Sequence, residues 1–117
     1  MAKEKMTKNI AVVGCGYWGK NLVRNFYELN ALHTICDVDE KRLKSFQEKF
    51  TDLAISNDYK SLLNIPEIEA VVISTPAATH YALAKQAFLA DKDVFVEKPI
   101  ALQYEEGGEL ISLAQQK

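Results

Sequence analysis

Apolar positions along the chain alternate between two periods. Residues 9–13, Asn-Ile-Ala-Val-Val, form a short β-rich run, and 18–29 then bring Leu22, Phe26 and Leu29 onto one helical stripe. Residues 32–36 predict a second strand. Residues 39–50 are highly charged but keep Leu43, Phe46 and Phe50 at inward helical spacing. A short third strand at 54–56 and a short helix at 58–63, stopped before Pro66, follow. The run Ala-Val-Val-Ile at 70–73 is wholly apolar, as in a strand covered on both faces. Leu83, Ala84, Ala87 and Phe88 face inward on a helix over 79–90, and 93–96 predict a fifth strand. A last helix spans 103–116, its first half weakened by Gly107 and Gly108.

Strands alternating with helices across short connections predict an α/β fold, a doubly wound parallel sheet. The chain reads as one domain over 9–117, preceded by a polar, lysine-rich leader at 1–8. Sheets of this kind usually add a sixth strand, which the pattern here lacks, so the fifth strand is expected at an edge.

Composition changes this picture little. With 117 residues, 48% hydrophobic and 26% charged, the chain can bury a core of its own. A net charge of −2 gives no basic surface for nucleic acid, and Lys41, Arg42 and Lys44 read as a solvated helix face. No apolar run is long enough to span a membrane, and the leader has no apolar core of a secretory signal. Two cysteines, Cys15 and Cys36, read as thiols in a reducing cytoplasm; a pair between them is the minor alternative.

Candidate chemistry gathers at the carboxyl ends of the predicted strands, where open α/β sheets bind ligands. Gly14-Cys15-Gly16-Tyr17-Trp18-Gly19 is a G-x-G-x-x-G turn between an apolar strand and an amphipathic helix. Gly14 would permit the tight turn, Gly16 would admit a pyrophosphate to bare backbone, and Gly19 would let the helix pack on the strand. Asp37 ends the second strand about 20 residues past the turn, where a carboxylate accepts the hydroxyls of an adenosine ribose and repels the extra phosphate of NADP. NAD is therefore expected over NADP, with Asp39 adding negative charge; Arg42 could in principle recruit that phosphate but reads rather as an exposed helix residue. Asp37 also reads as a turn or cap residue. A methyltransferase is the structural rival, since it too uses a glycine loop and an acidic residue. Ser74-Thr75-Pro76-Ala77-Ala78-Thr79-His80 and Glu97-Lys98-Pro99 follow the fourth and fifth strands. Taken alone, Lys98 reads as a solvent-facing lysine before a turn proline, and His80 as a cap or surface residue.

From about Asn9 onward the chain resembles the N-terminal Rossmann domain of the Gfo/Idh/MocA oxidoreductases, the glucose-fructose oxidoreductase and inositol dehydrogenase family. The glycine turn, Asp37, the Thr75-Pro76…His80 segment and Glu97-Lys98-Pro99, in this order, carry the resemblance. It implies that Gly14, Gly16 and Gly19, with the backbone of Tyr17 and Trp18, hold the pyrophosphate, and that Asp37 binds the ribose. It implies that Thr75, Pro76 and His80 line the path to the nicotinamide, that Glu97 meets its ribose, and that Lys98 is the catalytic lysine. An ammonium there would stabilise oxygen charge as a hydroxyl is oxidised. Ala77 departs from the polar residue that many members carry after Thr-Pro. The following α/β substrate domain, with its acid/base histidine, is expected to be lacking, and neither His33 nor His80 matches that histidine.

Two functions follow. One is the NAD-binding half of a dehydrogenase acting on a hydroxyl or keto group of a sugar, cyclitol or nucleotide sugar. The stretch Gly16 to Leu22 looks most like members acting on UDP-linked uronic acids at the 3-hydroxyl. The other is a stand-alone NAD(H)-binding or redox-sensing module, against which the retained Lys98 weighs. Family members commonly pair through the following domain, so a homo-oligomer of this chain would need another surface, such as the sheet edge.

Overall fold

A computed structural model describes residues 8–14, 16, 19–96 and 104–116. The strands are β1 (Ile10–Val13), β2 (Leu32–Cys36), β3 (Ala54–Ser56), β4 (Ala70–Ile73) and β5 (Asp93–Val96). The helices are α1 (Gly19–Glu28), α2 (Glu40–Lys49), α3 (Tyr59–Leu63), α4 (His80–Leu89) and α5 (Tyr104–Gln116), with a 3-10 turn at Ala77–Thr79. All strand pairings are parallel, in the order β3-β2-β1-β4-β5. The doubly wound expectation holds. The order reverses between β1 and β4, which opens a crevice beyond their carboxyl ends.

Alternation along the central strands feeds two cores. Ala11 and Val13 of β1 join Val71 and Ile73 of β4 beneath Leu62, Ala84, Ala87 and Leu110. Val12 and Val72 point to the other face, against Val23, Ile35 and Leu43. Each strand therefore presents apolar side chains to both layers, which is why 70–73 reads as an unbroken apolar run.

Helix starts are set by side-chain caps. Asp39 Oδ1 accepts from Lys41 N and Arg42 N at 3.0 and 3.2 Å, so α2 begins at Glu40. Asp58 Oδ1 accepts from Lys60 N and Ser61 N at 3.1 and 3.3 Å and starts α3. Both aspartates were expected inside their helices; their side chains instead compete for the orphan N–H groups of the first turn.

One expectation about the helices needs correction. Leu29 does not share the buried stripe of α1: it is 60% exposed, and Val23 takes the buried position. The helix stops at Glu28, and Asn30 turns the chain out at φ 59°, a left-handed conformation that asparagine tolerates. The last helix is found as expected, α5 running through Gly107 and Gly108. It is tied to α4 by Lys85 Nζ and Glu109 Oε2 at 2.9 Å and by Tyr81, whose hydroxyl donates to Glu109.

β5 is the edge strand, with Phe95 58% exposed. At the amino ends of the strands, Lys92 is buried and its Nζ donates to Ile65 O at 2.9 Å and Ile68 O at 2.5 Å. No helix among the described residues is long and apolar enough to cross a membrane.

Candidate functional site

The glycine turn leaves β1 at Val13 and enters α1 at Gly19. Gly14 donates its N–H to Cys36 O at 2.8 Å and then takes φ 89°, a region that side-chain-bearing residues rarely adopt. A Cβ on Gly14 would lie 2.8 Å from both Ser74 O and Thr75 Cγ2. A Cβ on Gly19 would overlap the Gly14 carbonyl oxygen. The strand-turn-helix unit can therefore close only if both positions lack side chains.

Gly16 differs. Among the described residues a Cβ there would meet Arg42 alone, its nearest atom Nη1 at 3.7 Å, which is ordinary contact. Packing among the described residues explains Gly14 and Gly19 and does not explain Gly16. It lies just before α1, where N–H groups and the helix dipole favour an anion. Tyr17 and Trp18 lie outside the described residues, as does Cys15.

Asp37 sits just past β2, its side chain 6% exposed. Oδ1 accepts from Asp39 N at 2.9 Å, and Arg42 Nη1 donates to Oδ2 at 3.0 Å. The carboxylate is thus aimed and held beside the glycine turn. Arg42 is the residue that sequence reasoning missed. It is an exposed residue of α2, as expected, but it also turns back from the first turn to pair with Asp37, while Nη2 lies 3.8 Å from Asp39 Oδ2. The signal was available: with Asp39 as N-cap, Arg42 is the third helical residue, on the side that faces the cap.

Across the crevice, the segment after β4 closes over the turn. Ser74 N donates to Val13 O at 2.8 Å. Thr75 Oγ1 and Thr79 Oγ1 share a hydrogen bond of 2.6 Å, and Thr79 Oγ1 also lies 2.6 Å from Pro76 O. His80, which taken alone reads as a cap or surface group and which the resemblance places on the path to the nicotinamide, is 2% exposed. Its Nε2 donates to Thr75 O at 2.9 Å, which requires the proton on Nε2 because a carbonyl only accepts. His80 therefore fixes the loop from below, and Thr75 and the exposed Pro76 form its outer side. Glu97, Lys98 and Pro99 lie outside the described residues; the structure brings β5, which leads to them, beside β4.

Cys36, at the end of β2, is buried, and burial together with the charges of Asp37 and Asp58 pushes its thiol up to about 11. Its pairing with Cys15 falls outside the described residues. His33, read as structural, shares a hydrogen bond of 2.6 Å with Thr34 Oγ1 within β2. No group of three or more metal-ligating side chains occurs among the described residues.

Sheet order, glycine turn and an aspartate after the second strand together define a dinucleotide-binding Rossmann domain. The chain belongs to the Gfo/Idh/MocA oxidoreductase family, whose NAD-binding Rossmann fold matches residues 8–117. It is similar to an inositol 2-dehydrogenase of Acidothermus cellulolyticus, 34% identical over 107 residues, covering 86% of this chain and 30% of that protein. A UDP-N-acetylglucosamine 3-dehydrogenase of Acidithiobacillus ferrooxidans superposes with a TM-score of 0.84 at 29% identity, over 92% of this chain and 35% of the other. GenD2 from gentamicin A biosynthesis, solved in complex with NAD, superposes with a TM-score of 0.85 at 27% identity, over 96% of this chain and 32% of the other. The chain spans about a third of the length of the relatives it matches.

Proposed function

We propose that this chain is the NAD-binding half of a dehydrogenase that moves hydride between a nicotinamide cofactor and a hydroxyl or keto group of a sugar, cyclitol or nucleotide sugar. One observation carries the reading: no packing among the described residues requires a glycine at Gly16, which stands beside the aimed carboxylate of Asp37. A pyrophosphate would rest on Gly14, Gly16 and Gly19 with the backbone of Tyr17 and Trp18. The adenosine ribose would donate hydroxyl hydrogen bonds to the Asp37 carboxylate. Thr75 and Pro76, braced by His80, would wall the path toward the nicotinamide.

NAD is the preferred cofactor, because a second phosphate on that ribose would face the buried Asp37 carboxylate. When bound, NAD supplies a hydride acceptor. The protein's part is to position the alcohol and manage its proton. Glu97 would meet the nicotinamide ribose. Lys98 would place an ammonium against the substrate oxygen, stabilise its developing charge and help the hydroxyl lose its proton. Similarity to a UDP-sugar 3-dehydrogenase supports a nucleotide-sugar substrate oxidised at a secondary hydroxyl.

The test is a titration of the chain with NADH, NADPH and S-adenosylmethionine, followed by nicotinamide fluorescence and calorimetry. Saturable binding of NADH, tighter than of NADPH and weakened in Asp37→Ala, is expected. Binding of S-adenosylmethionine alone would replace this reading with the methyltransferase one.

A further inference from the structure

We propose that Thr79 is a positioning residue for the cofactor. It fixes the hydroxyl of Thr75 as a hydrogen-bond acceptor, which takes a hydroxyl or amide N–H of the bound dinucleotide and offers nothing to its phosphates. The proposal rests on the dinucleotide reading above and goes beyond it, since lining the cofactor path gives Thr75 no polarity and Thr79 no part.

The polarity follows from two distances. Thr79 Oγ1 lies 2.6 Å from Pro76 O and 2.6 Å from Thr75 Oγ1. A carbonyl only accepts, so the Thr79 proton goes to Pro76 O. That hydroxyl has one proton to give, so the short contact with Thr75 must use the Thr75 proton. The protons therefore run one way, from Thr75 to Thr79 to Pro76 O, and each bond polarises the next. Thr75 Oγ1 is left with lone pairs and no proton to offer.

Three contacts hold that oxygen in place. His80 Nε2 donates to Thr75 O at 2.9 Å and fixes the backbone. The Thr75 methyl group packs on the glycine turn, with Cγ2 2.8 Å from where a Gly14 Cβ would stand. The hydroxyl is held by Thr79. A β-branched side chain tied by both its methyl and its hydroxyl has no freedom left at χ1. A hydroxyl free to rotate beside Gly14 would turn its proton to a phosphate; the bond to Thr79 removes that option. A donor group is the complement. A bound dinucleotide carries two kinds toward its nicotinamide end, the ribose hydroxyls and the carboxamide N–H.

The experiment is a calorimetric titration of the 117-residue chain with NADH and with ADP-ribose, in wild type, Thr79→Val, Thr79→Ser, Thr75→Val and Thr75→Val/Thr79→Val, each with its melting temperature. Thr79→Val keeps the shape and removes the hydroxyl. Its NADH affinity is expected to fall about fivefold while it melts like wild type. Thr79→Ser keeps the relay and should bind like wild type. Thr75→Val is expected to lose at least as much, and the double variant no more than Thr75→Val, because Thr79 acts through Thr75. A Thr79→Val loss seen equally with ADP-ribose, which lacks the nicotinamide ring, assigns the donor to a ribose hydroxyl; a loss seen with NADH alone assigns it to the carboxamide. Losses that add in the double variant would overturn the proposal, as would undiminished NADH binding by Thr79→Val. If Thr79→Val melts early, Thr79→Ala set against Thr79→Ser makes the same comparison. Wild type that binds neither ligand removes the dinucleotide reading, and this proposal with it. Wild type that binds NADH beside a Thr79 without effect removes the proposal alone.

Discussion

The two ends of the parallel sheet solve the problem of buried polar groups in opposite ways. At the amino ends, Lys92 is buried but answered within the protein, its ammonium held by the carbonyls of Ile65 and Ile68. Asn9 O accepts from Glu69 N at 2.8 Å and Asp93 N donates to Glu69 O at 2.9 Å, so the loop ends are stitched to the strands. At the carboxyl ends, the chain instead keeps Gly16 bare, aims an acidic side chain beside it and braces the facing loop with His80. One end is closed on itself and the other is arranged toward something outside it. Substitutions at the two ends test how far stability and binding separate along the strand direction.

The largest effect is expected at Gly19, where the functional end has no slack. Gly19→Ala forces a Cβ into the Gly14 carbonyl, and a loss of about 3 kcal/mol is expected from overpacking against backbone. The urea midpoint should drop and NADH binding should disappear with it. Lys92→Met at the opposite end strands two carbonyls and is expected to cost about 2 kcal/mol. Its NADH affinity, measured where the variant is folded, should stay within about twofold of wild type; a larger change would mean that the two ends are coupled. His80→Leu removes the donor to Thr75 O from a buried site, for an expected loss of about 1 kcal/mol. Amide exchange of the loop should rise as well, because the loop loses its brace from below. The smallest effect concerns pH. The folded Cys36 thiol titrates near 11, above its ordinary value of 9.0. Between those values the unfolded chain has lost a proton that the folded chain keeps, so this group's contribution, full below pH 9, falls as pH rises toward 11. Urea midpoints across that range should decline less steeply in Cys36→Ala.

Most of the fold was legible because its layers impose different periods. The apolar run at 70–73 reports a strand covered on both faces, and Leu43 and Phe46 report one covered face on α2. Element ends were less legible. Asp39 and Asp58 look like helix members by position, and only cap geometry takes them out. Leu29 fits the stripe by count but lies beyond the last turn, where Asn30 reverses the chain. In the site, the glycine turn and Asp37 could be read from spacing, since backbone needs dictate them. Arg42 could not be read from composition, because a lysine- and arginine-rich stretch looks the same whether it faces water or an aspartate. Its cap-relative position was the missing step. The burial of His80 was not legible for a related reason: one histidine at a helix start gives no periodic signal of burial.

The open turn is most directly tested by Gly16→Ala, measured for melting temperature and NADH affinity in parallel. Among the described residues no neighbour crowds an added Cβ at this position, so the melting temperature should stay within about two degrees of wild type. Affinity for NADH should fall about tenfold or more, because the methyl group lifts the pyrophosphate off the backbone N–H groups. Unchanged melting with lost binding is the expected result. Equal NADH binding by both chains would contradict the assignment of this turn to the cofactor, and a fall in melting temperature like that of Gly19→Ala would show that Gly16 serves packing instead.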